Sequence, residues 1–364
     1  MNPSFWSRTL AVKWQVGAGP YSLPIAHHSE IVFQVLKAAV KRANIDFGDV
    51  QEVLVGNVLA ELGFAKTGRA AMLQAGFPFT TTFHTTNRQC SSSLQAITHI
   101  SHAIMTGQIN VGVAGGVEAM SRNYGSRGVP VDASPMLTHS SIKDVKDCFM
   151  PMGVTSENVA KRYGIDRQAQ DEYAYESHKR ASDAQKTGRL DNEIEQITVK
   201  RTNPETGVEE DYLATKDEGI RHGLTLEKLS TLKLVFDPRG GSTAGNSSQI
   251  SDGASSVVLA SRSWAESRGL KVLGRFIGTQ VAGCAPDEMG IGPVLAIPAL
   301  YKSTGISQRD VDIFELNEAF IREEGLVVIY KGYVAKMLRF VPGGGILLVV
   351  YDKCLDLYLE AKVF

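Results

Sequence analysis

Between residues 29 and 120 the chain alternates segments that have a helical repeat of apolar residues with short apolar runs. Residues 29–43 carry apolar side chains three or four positions apart, which predicts an amphipathic helix. The runs at 51–60 and 111–120 predict buried strands, and glycines in the second allow close packing. Alternating strands and helices favour a parallel or mixed sheet covered by helices. The sequence therefore predicts an α/β fold.

A single cysteine, Cys90, lies in the stretch NRQCSSSLQA (87–96), just before a further predicted helix. Apolar residues recur along that helix at Leu94, Ile97, Ile100 and Ile104. The thiolate is the nucleophilic form of cysteine, and the unpaired N–H groups of a helix N-terminus stabilise it. The same N–H groups can bind the oxyanion of a tetrahedral intermediate. Cys90 is thus a candidate nucleophile, and the alternative is a small buried structural cysteine.

Composition points to a soluble globular protein with a small-molecule substrate. The 364 residues favour two or three domains, and 43% are hydrophobic while 21% are charged. Because 38 basic residues balance 39 acidic ones, we expect neither nucleic acid nor a membrane surface as partner. The cysteines are far apart and form no CxxC pair, which argues against a disulfide framework or a zinc site and fits a reducing compartment.

From the sequence we expect neither a membrane span nor a secretory leader. The apolar run at 345–351 is too short to cross a bilayer, and the first fifteen residues lack the apolar core of a signal peptide. The segment RTLAVKWQV (8–16) weakly resembles an N-terminal peroxisomal address in the placement of one arginine and one glutamine. The alternative interpretation of that segment is a chance match.

The middle of the chain predicts a long insertion into one α/β domain. Residues 121–248 contain loops, a charged helix over 166–189 and a polar stretch over 200–224. The run GGSTAGNSSQISDGASS (240–256) has the composition of a flexible linker. A strand and a helix follow it at once, which favours re-entry into the core instead.

A short pattern occurs twice and predicts two similar halves. It consists of an isoleucine, an aspartate-valine pair that begins four residues later, strand residues and then an asparagine. The two copies contain Ile45, Asp49-Val50 and Asn57, and Ile306, Asp310-Val311 and Asn317.

Six motifs, together and in order, resemble the 3-ketoacyl-CoA thiolases of the degradative, peroxisomal kind, from about residue 29 to residue 320. The motifs are NRQCSSSLQA (87–96), GGVEAMSR (115–122), PMGVTSENVAKRYGI (151–165), TAGNSSQISDGASS (243–256), MGIGPV (289–294) and FELNEAF (314–320). The resemblance implies thiolytic cleavage of a 3-ketoacyl-CoA to acetyl-CoA and a shortened acyl-CoA in fatty-acid β-oxidation. It also implies a homodimer or tetramer, with coenzyme A as substrate and no metal or redox cofactor. The implied compartment is the peroxisome, with the cytoplasm or mitochondrion as the alternative.

The fold implied by the resemblance is a layered αβαβα core of two similar halves with an inserted loop domain. We expect the first half to comprise residues 1–118 and 249–265 and the loop domain to comprise 119–248. The second half would comprise 266–364, family-like only to about residue 320 and therefore incomplete. The family's first strand, with its Arg-Thr-Pro signature, is absent from residues 1–28.

The resemblance also implies roles for single residues. Cys90 matches the acylated nucleophile, although Ser93 stands where the family usually has glycine. Asn317 matches the residue that holds a water in an oxyanion hole for the thioester carbonyl; its alternative is a turn residue at a strand end. Five residues match positions at which the family contacts coenzyme A, namely Met152, Ser248, Ala244, Phe236 and Arg221. Met152 and Ser248 match positions in the pantetheine tunnel, Ala244 and Phe236 match neighbouring positions, and Arg221 matches the adenine or phosphate end. Core packing and a solvated surface are the alternatives for this last group.

The expected catalytic base is missing. The family places a histidine in a Gly-His-Pro motif and a second cysteine in a Cys-x-Gly motif after NEAF, and this chain has neither. All eight histidines lie at or before residue 222, and we interpret His84, His99 and His102 as structural. Cys354, in KCLD, lacks the following glycine. We therefore expect impaired catalysis, as in an alternative or mis-read splice form.

Two other functions remain open from the sequence. The first is a catalytically inactive protein that binds coenzyme A or acyl-CoA, or that pairs with an intact thiolase. The second is a ketosynthase, against which the NEAF and SENVA motifs and the long loop domain argue.

Overall fold

The computed structural model describes residues 5–13, 27–61, 63–128, 130, 132–203, 206–217 and 219–317. Its centre is a sheet of five strands covered by helices on both faces, which confirms the predicted α/β class. The strands of this sheet are β1 (Phe5–Lys13), β2 (Glu52–Gly56), β3 (Thr82–Thr86), β4 (Val111–Ala119) and β7 (Asp252–Ser261). The helices around it are α1 (His28–Ala43), α2 (Phe64–Gln74), α3 (Ser92–Met105) and α10 (Arg262–Ser267).

The sheet is mixed, with strand order β1-β7-β4-β2-β3. Strands β2, β3 and β4 are parallel, and β7 runs antiparallel to β4 with Ala119 opposite Asp252. Each parallel neighbour is reached through a helix, as parallel pairing requires. The predicted helix over 29–43 and strand over 111–120 agree with α1 and β4 to within one residue at each end.

Strand β1 corrects the expectation that a first strand is absent from residues 1–28. The backbone of Phe5–Lys13 pairs antiparallel with β7, from Phe5 opposite Ser261 to Lys13 opposite Gly253. Because the open edge of β7 supplies the pairing, a strand forms here without the Arg-Thr-Pro signature.

Both faces of the sheet are buried, as alternate residues of β2 show. Val53 belongs to the apolar core that α1 and α2 form on one face. Leu54 belongs to a second core on the other face, where Ile100 of α3 packs. Since successive strand residues point to opposite faces, a continuous apolar run is the expected sequence of such a strand.

The segment between β4 and β7 forms helices and a two-stranded antiparallel sheet. The helices are α4 (Met120–Arg127), α5 (Pro135–Thr138), α6 (Lys143–Asp147), α7 (Met152–Tyr163), α8 (Arg167–Lys186) and α9 (Leu226–Ser230). The strands are β5 (Ile197–Thr202) and β6 (Glu209–Ala214). The run at 240–256 does return to the core, because Thr243 and Asn246 are buried and β7 follows.

The described part of the second half, up to residue 317, contains helix α11 (Gly292–Thr304) and two 3₁₀ turns, Pro286–Ile291 and Gln308–Asp310. The turn Gln308–Asp310 matches the turn Phe47–Asp49 of the first half in its cap. The Asp49 carboxylate accepts the N–H of Asp46 at 3.1 Å, and the Asp310 carboxylate accepts the N–H of Ser307 at 2.8 Å. The sequence repeat therefore corresponds to a repeated local structure.

Candidate active site

The loops that carry the candidate residues meet at one edge of the main sheet. Strands β2, β3 and β4 all end at this edge, and the antiparallel strand β7 begins there. Cys90 follows Thr86, the end of β3, by four residues, and Ser248 precedes Asp252, the start of β7, by four. Three strand spacings separate β3 from β7, which is about 14 Å. The carboxyl edge of parallel strands is where ligands bind in open α/β sheets.

Cys90 is exposed and lies immediately before Ser91, the residue at the N-cap of α3. The preceding residue, Gln89, has a φ of 49°, which is uncommon for a residue with a side chain. The Ser92 hydroxyl stabilises the turn, accepting the N–H of Arg88 at 2.9 Å and donating to the carbonyl of Gln89 at 2.6 Å. A strained turn that its surroundings hold in place is a recurrent feature of functional sites. The predicted position of Cys90 at a helix start is confirmed.

Two glycines allow the start of α3 to lie directly on the sheet. A Cβ on Gly56, at the end of β2, would be 2.3 Å from the carbonyl carbon of Ser92. A Cβ on Gly116, in β4, would be 2.6 Å from the Cβ of Ser93. Ser93, which stands where the resemblance predicts glycine, therefore occupies space that Gly116 leaves open.

Glu118 and His28 organise the neighbouring loop, and the sequence interpretation gave neither a role. The Glu118 carboxylate accepts the N–H of Val58 at 2.9 Å and that of Leu59 at 3.2 Å. His28 is buried, with Nε2 3.0 Å from Glu118 Oε1 and 3.2 Å from the N–H nitrogen of Ala119. The GGVEAMSR motif contains Glu118, but its partners lie 59 or more residues away, so the contact is not visible in the motif.

The histidines near Cys90 in sequence form a cluster on β3 and α3. Nδ1 of His84 lies 3.1 Å from Oε1 of Glu52, on the adjacent strand β2. Burial, and then the proximity of His84 and His102, lower the pKa of His99. All three side chains are exposed, and their interpretation as structural residues stays a prediction.

Met152 and Phe236 come together at the start of α7. Met152 is the first residue of that helix and is 44% exposed, and Phe236 is 43% exposed. A Cβ on Gly153 would be 2.1 Å from the Phe236 ring, so the ring packs against the backbone next to Met152. Two partly exposed apolar side chains on one surface can line a binding site for an alkyl chain.

Ala244 and Ser248 are exposed on a loop that α7 and α8 hold in place. The Glu157 carboxylate accepts the N–H of Gly241 at 3.0 Å and the N–H of Ser242 at 2.9 Å. Nδ2 of the buried Asn246 donates to Asp171 at 2.9 Å and to the carbonyl of Gly241, also at 2.9 Å. Fully paired buried polar groups of this kind rigidify a loop.

Arg221 and Asn317 are the remaining candidates. The Arg221 side chain is exposed on the loop that precedes α9. Asn317 is the last residue that the structure describes, and it is partly buried. Residues 318–364, which include the end of the NEAF motif and Cys354, lie outside the described residues. The catalytic role of Asn317 and the coenzyme A contacts of the other residues stay predictions.

An ionic cluster attaches the MGIGPV segment to the inserted domain. Asp287 is buried and accepts hydrogen bonds from Arg162 Nη2 at 2.5 Å and Lys143 Nζ at 2.7 Å. Its backbone carbonyl accepts a hydrogen bond from Asn158 at 3.0 Å. Hydrogen bonds from Arg162 and then Lys143 hold the pKa of Asp287 well below its ordinary value. Two cations on α6 and α7 thus fix the turn Pro286–Ile291.

Comparison with known families gives two adjacent matches along the chain. The N-terminal domain of thiolases matches residues 11–263, and the C-terminal domain of thiolases matches residues 270–348. The second match extends beyond residue 320, where the six motifs end.

Sequence relatives and solved structures agree with these matches. The peroxisomal 3-ketoacyl-CoA thiolase B of Candida tropicalis is 42% identical over 294 residues, 80% of this chain and 71% of that protein. The peroxisomal 3-ketoacyl-CoA thiolase of Homo sapiens is 41% identical over 313 residues, 86% of this chain and 71% of that protein. The crystal structure of the dimeric peroxisomal thiolase of Saccharomyces cerevisiae superimposes with a TM-score of 0.82 at 35% identity, covering 99% of this chain and 90% of that one.

Proposed function

Because this chain belongs to the thiolase family, we propose that it is an acyltransferase that cleaves 3-ketoacyl-CoA in peroxisomal fatty-acid β-oxidation. The products are acetyl-CoA and an acyl-CoA shortened by two carbons. Relatives at 41–43% identity are named peroxisomal 3-ketoacyl-CoA thiolases, which supports the reaction and the compartment. The family and the thiolase fold that the six motifs predict are confirmed.

The observation that carries the proposal is the exposed Cys90 on a strained turn at the N-terminus of α3. In the proposed reaction its sulfur attacks the 3-keto carbon, and the bond between C2 and C3 breaks. The proton of the thiol ends on C2 of the departing acetyl-CoA. The acyl group then passes from Cys90 to the sulfur of a second coenzyme A. The N–H groups at the start of α3 are suited to bind the oxyanion that forms at the attacked carbon, and in the proposal Asn317 would hold a water for the thioester carbonyl.

The proposed turnover is slow because the family's base is missing. This chain contains no Gly-His-Pro motif and no histidine after residue 222. General base assistance typically contributes about a hundred- to ten-thousand-fold to a rate. We therefore propose that both acylation and transfer to coenzyme A are slower here by a factor in that range.

The proposed assembly is a homodimer, supported by the dimeric state of the yeast structure. Coenzyme A enters as substrate, and the proposed chemistry needs no resident metal or redox cofactor. Among the described helices, none is both long and apolar enough to cross a membrane.

A second candidate function is binding of acyl-CoA without catalysis. The absent base and the exposed loop residues Ala244 and Ser248 favour it. The two functions differ in one covalent step, since only the enzyme forms a thioester on Cys90.

Intact-protein mass spectrometry separates the two functions. The chain is incubated with a 3-ketoacyl-CoA and without free coenzyme A, so that an acyl group on Cys90 has no thiol to accept it. We expect a mass increase equal to the shortened acyl group, removed by hydroxylamine. Cys90→Ser should abolish the increase, while Cys148→Ser, at another exposed cysteine, should leave it unchanged. Binding of the substrate without any adduct would establish the second function instead.

A further inference from the structure

We propose that His222 is a positioning residue that attaches the loop bearing Arg221 to helix α8 and thereby sets the affinity for the nucleotide end of coenzyme A. The inference rests on the proposed function for its ligand. It assigns a role to a histidine that takes no part in the proposed reaction. It also supports the predicted role of Arg221 with hydrogen bonds formed within this chain.

His222 bridges the loop and α8 through both ring nitrogens. Its Nδ1 is 2.7 Å from Oγ of Ser182, and its Nε2 is 3.0 Å from Oε1 of Gln185. The amide of Gln185 is oriented by its Nε2, which donates to the carbonyl of Asp217 at 2.8 Å. Gln185 Oε1 is therefore an acceptor, so Nε2 of His222 carries the proton and Nδ1 accepts from the Ser182 hydroxyl. The chain of hydrogen bonds has one consistent direction for the neutral ring.

The α8 residues that form hydrogen bonds with the loop lie on one face of the helix. Positions 178, 182 and 185 are separated by four and three residues, the spacing that places side chains in one row of a helix. Besides Ser182 and Gln185, the row contains the buried His178, whose Nδ1 is 3.4 Å from the backbone nitrogen of Arg221. Helix α8 thus holds the loop at two adjacent residues, through the backbone of Arg221 and the side chain of His222.

The same loop is attached to the segment that carries Ser248. Gln249 donates to the carbonyl of Gly219 at 2.9 Å, and the Gly219 N–H donates to the buried carboxylate of Asp217 at 2.9 Å. After His222, Gly223 turns the chain away at a φ of +71°, a conformation that favours glycine. The anchors therefore fix Asp217 and residues 219–223 next to a second candidate contact for coenzyme A.

These hydrogen bonds hold the backbone of the loop, while the Arg221 side chain is exposed to solvent and can bind an anion. A guanidinium binds phosphate through paired hydrogen bonds and stacks on aromatic rings, and the nucleotide of coenzyme A offers phosphates and an adenine. Ordering the loop beforehand reduces the conformational entropy lost on binding, which raises affinity. The effect is confined to ligands that carry the nucleotide.

The pairing of a serine with a histidine does not make this a second catalytic site. Ser182 is only 5% exposed, so its hydroxyl cannot reach a substrate in solution. The third member of the chain is the neutral amide of Gln185, which cannot stabilise a charged imidazolium as a carboxylate would. The arrangement is suited to holding a loop.

Calorimetric titration of the full chain with coenzyme A and with pantetheine, which lacks the nucleotide, tests the inference. We expect His222→Ala to weaken coenzyme A binding about three- to tenfold, the loss of one or two hydrogen bonds, with pantetheine binding unchanged. His222→Asn keeps an acceptor near Ser182 and should recover part of the affinity. His139→Ala, at another exposed histidine, should change neither titration.

The outcomes distinguish failure of the proposed function from failure of the inference about His222. A wild-type chain that binds neither ligand contradicts the proposed function as well as the inference. A wild-type chain that binds coenzyme A, together with an equally tight His222→Ala variant, overturns the inference alone. An equal loss for both ligands also overturns it, because the effect would then not be confined to the nucleotide. Independently of any ligand, amide exchange over residues 219–223 should be faster in His222→Ala, and unchanged exchange contradicts the attachment.

Discussion

At the residue scale, the neighbours of Cys90 determine its position more than its own side chain does. Gln89 adopts a left-handed conformation, and the Ser92 hydroxyl bonds both Arg88 and Gln89 across the turn. The adjacent glycines, Gly56 and Gly116, let α3 approach the sheet closely. Such a turn is costly on its own and persists because several contacts hold it.

The contact between Gly116 and Ser93 gives a prediction for stability. Gly116→Ala places a Cβ 2.6 Å from the Cβ of Ser93, and overpacking of this kind costs about 1–3 kcal/mol in free energy of unfolding. Ser93→Gly removes the opposing Cβ, so the double variant should recover much of that loss. Urea denaturation of the two single variants and the double variant measures the coupling. Strictly additive effects would show that the two residues are not in contact.

Some of these residues were accessible from the sequence, and others were not. The helical repeat after Cys90 predicts the helix start, because the repeat is local in sequence. Glu118 contacts Val58 and Leu59, which are 60 and 59 residues away. No local pattern contains that pairing, so the role of Glu118 follows only from the fold.

At the element scale, the sequence predicts correctly those elements whose own residues show a periodic pattern. Helices α1 and α8 have apolar or charged patterns with a helical period, and their predicted ranges, 29–43 and 166–189, agree with the structure to within three residues. Strands β1, β5 and β6 were not predicted. Each exists through pairing, β1 with β7 and β5 with β6, and pairing partners are not visible in a single segment.

The ionic cluster at the turn Pro286–Ile291 predicts how stability depends on pH. Because hydrogen bonds from Arg162 and Lys143 lower the pKa of Asp287 in the folded state, its stabilising contribution is present above the unfolded value, about 3.9. The contribution is lost as the pH falls below that value towards the folded pKa. Wild type should therefore lose stability more steeply than Asp287→Asn as the pH falls from about 4 to about 2.

Denaturation midpoints at several pH values measure this difference. Asp287→Asn should be less stable than wild type at pH 7, with the gap closing in acid. Asp144→Asn, at an exposed aspartate of α6, serves as the control and should follow wild type throughout. Parallel curves for wild type and Asp287→Asn would contradict a charged Asp287 in the folded protein.

At the scale of the whole molecule, the six ordered motifs predicted the family because their order carries information that no single motif has. The repeated Ile, Asp-Val and Asn pattern corresponds to two 3₁₀ turns with the same aspartate cap. Domain boundaries and site roles stay predictions. Their test is chemical, since a fold hosts different functions and the site decides which.

The proposed homodimer is measurable by sedimentation velocity. We expect a main species with twice the mass of one chain at micromolar concentration, supported by the dimeric yeast thiolase. A chain that remains monomeric at the same concentration would contradict the proposed assembly while leaving Cys90 acylation to be judged separately.

The most direct measurement is the rate of coenzyme A-dependent cleavage of a 3-ketoacyl-CoA by the purified chain, compared with an intact peroxisomal relative. We expect a rate that depends on Cys90 and is lower by about a hundred- to ten-thousand-fold, since a base is absent. Cys90→Ser should reduce it to background. A rate equal to that of the relative would show that another group supplies the base, and an unchanged rate in Cys90→Ser would show that Cys90 is not the nucleophile.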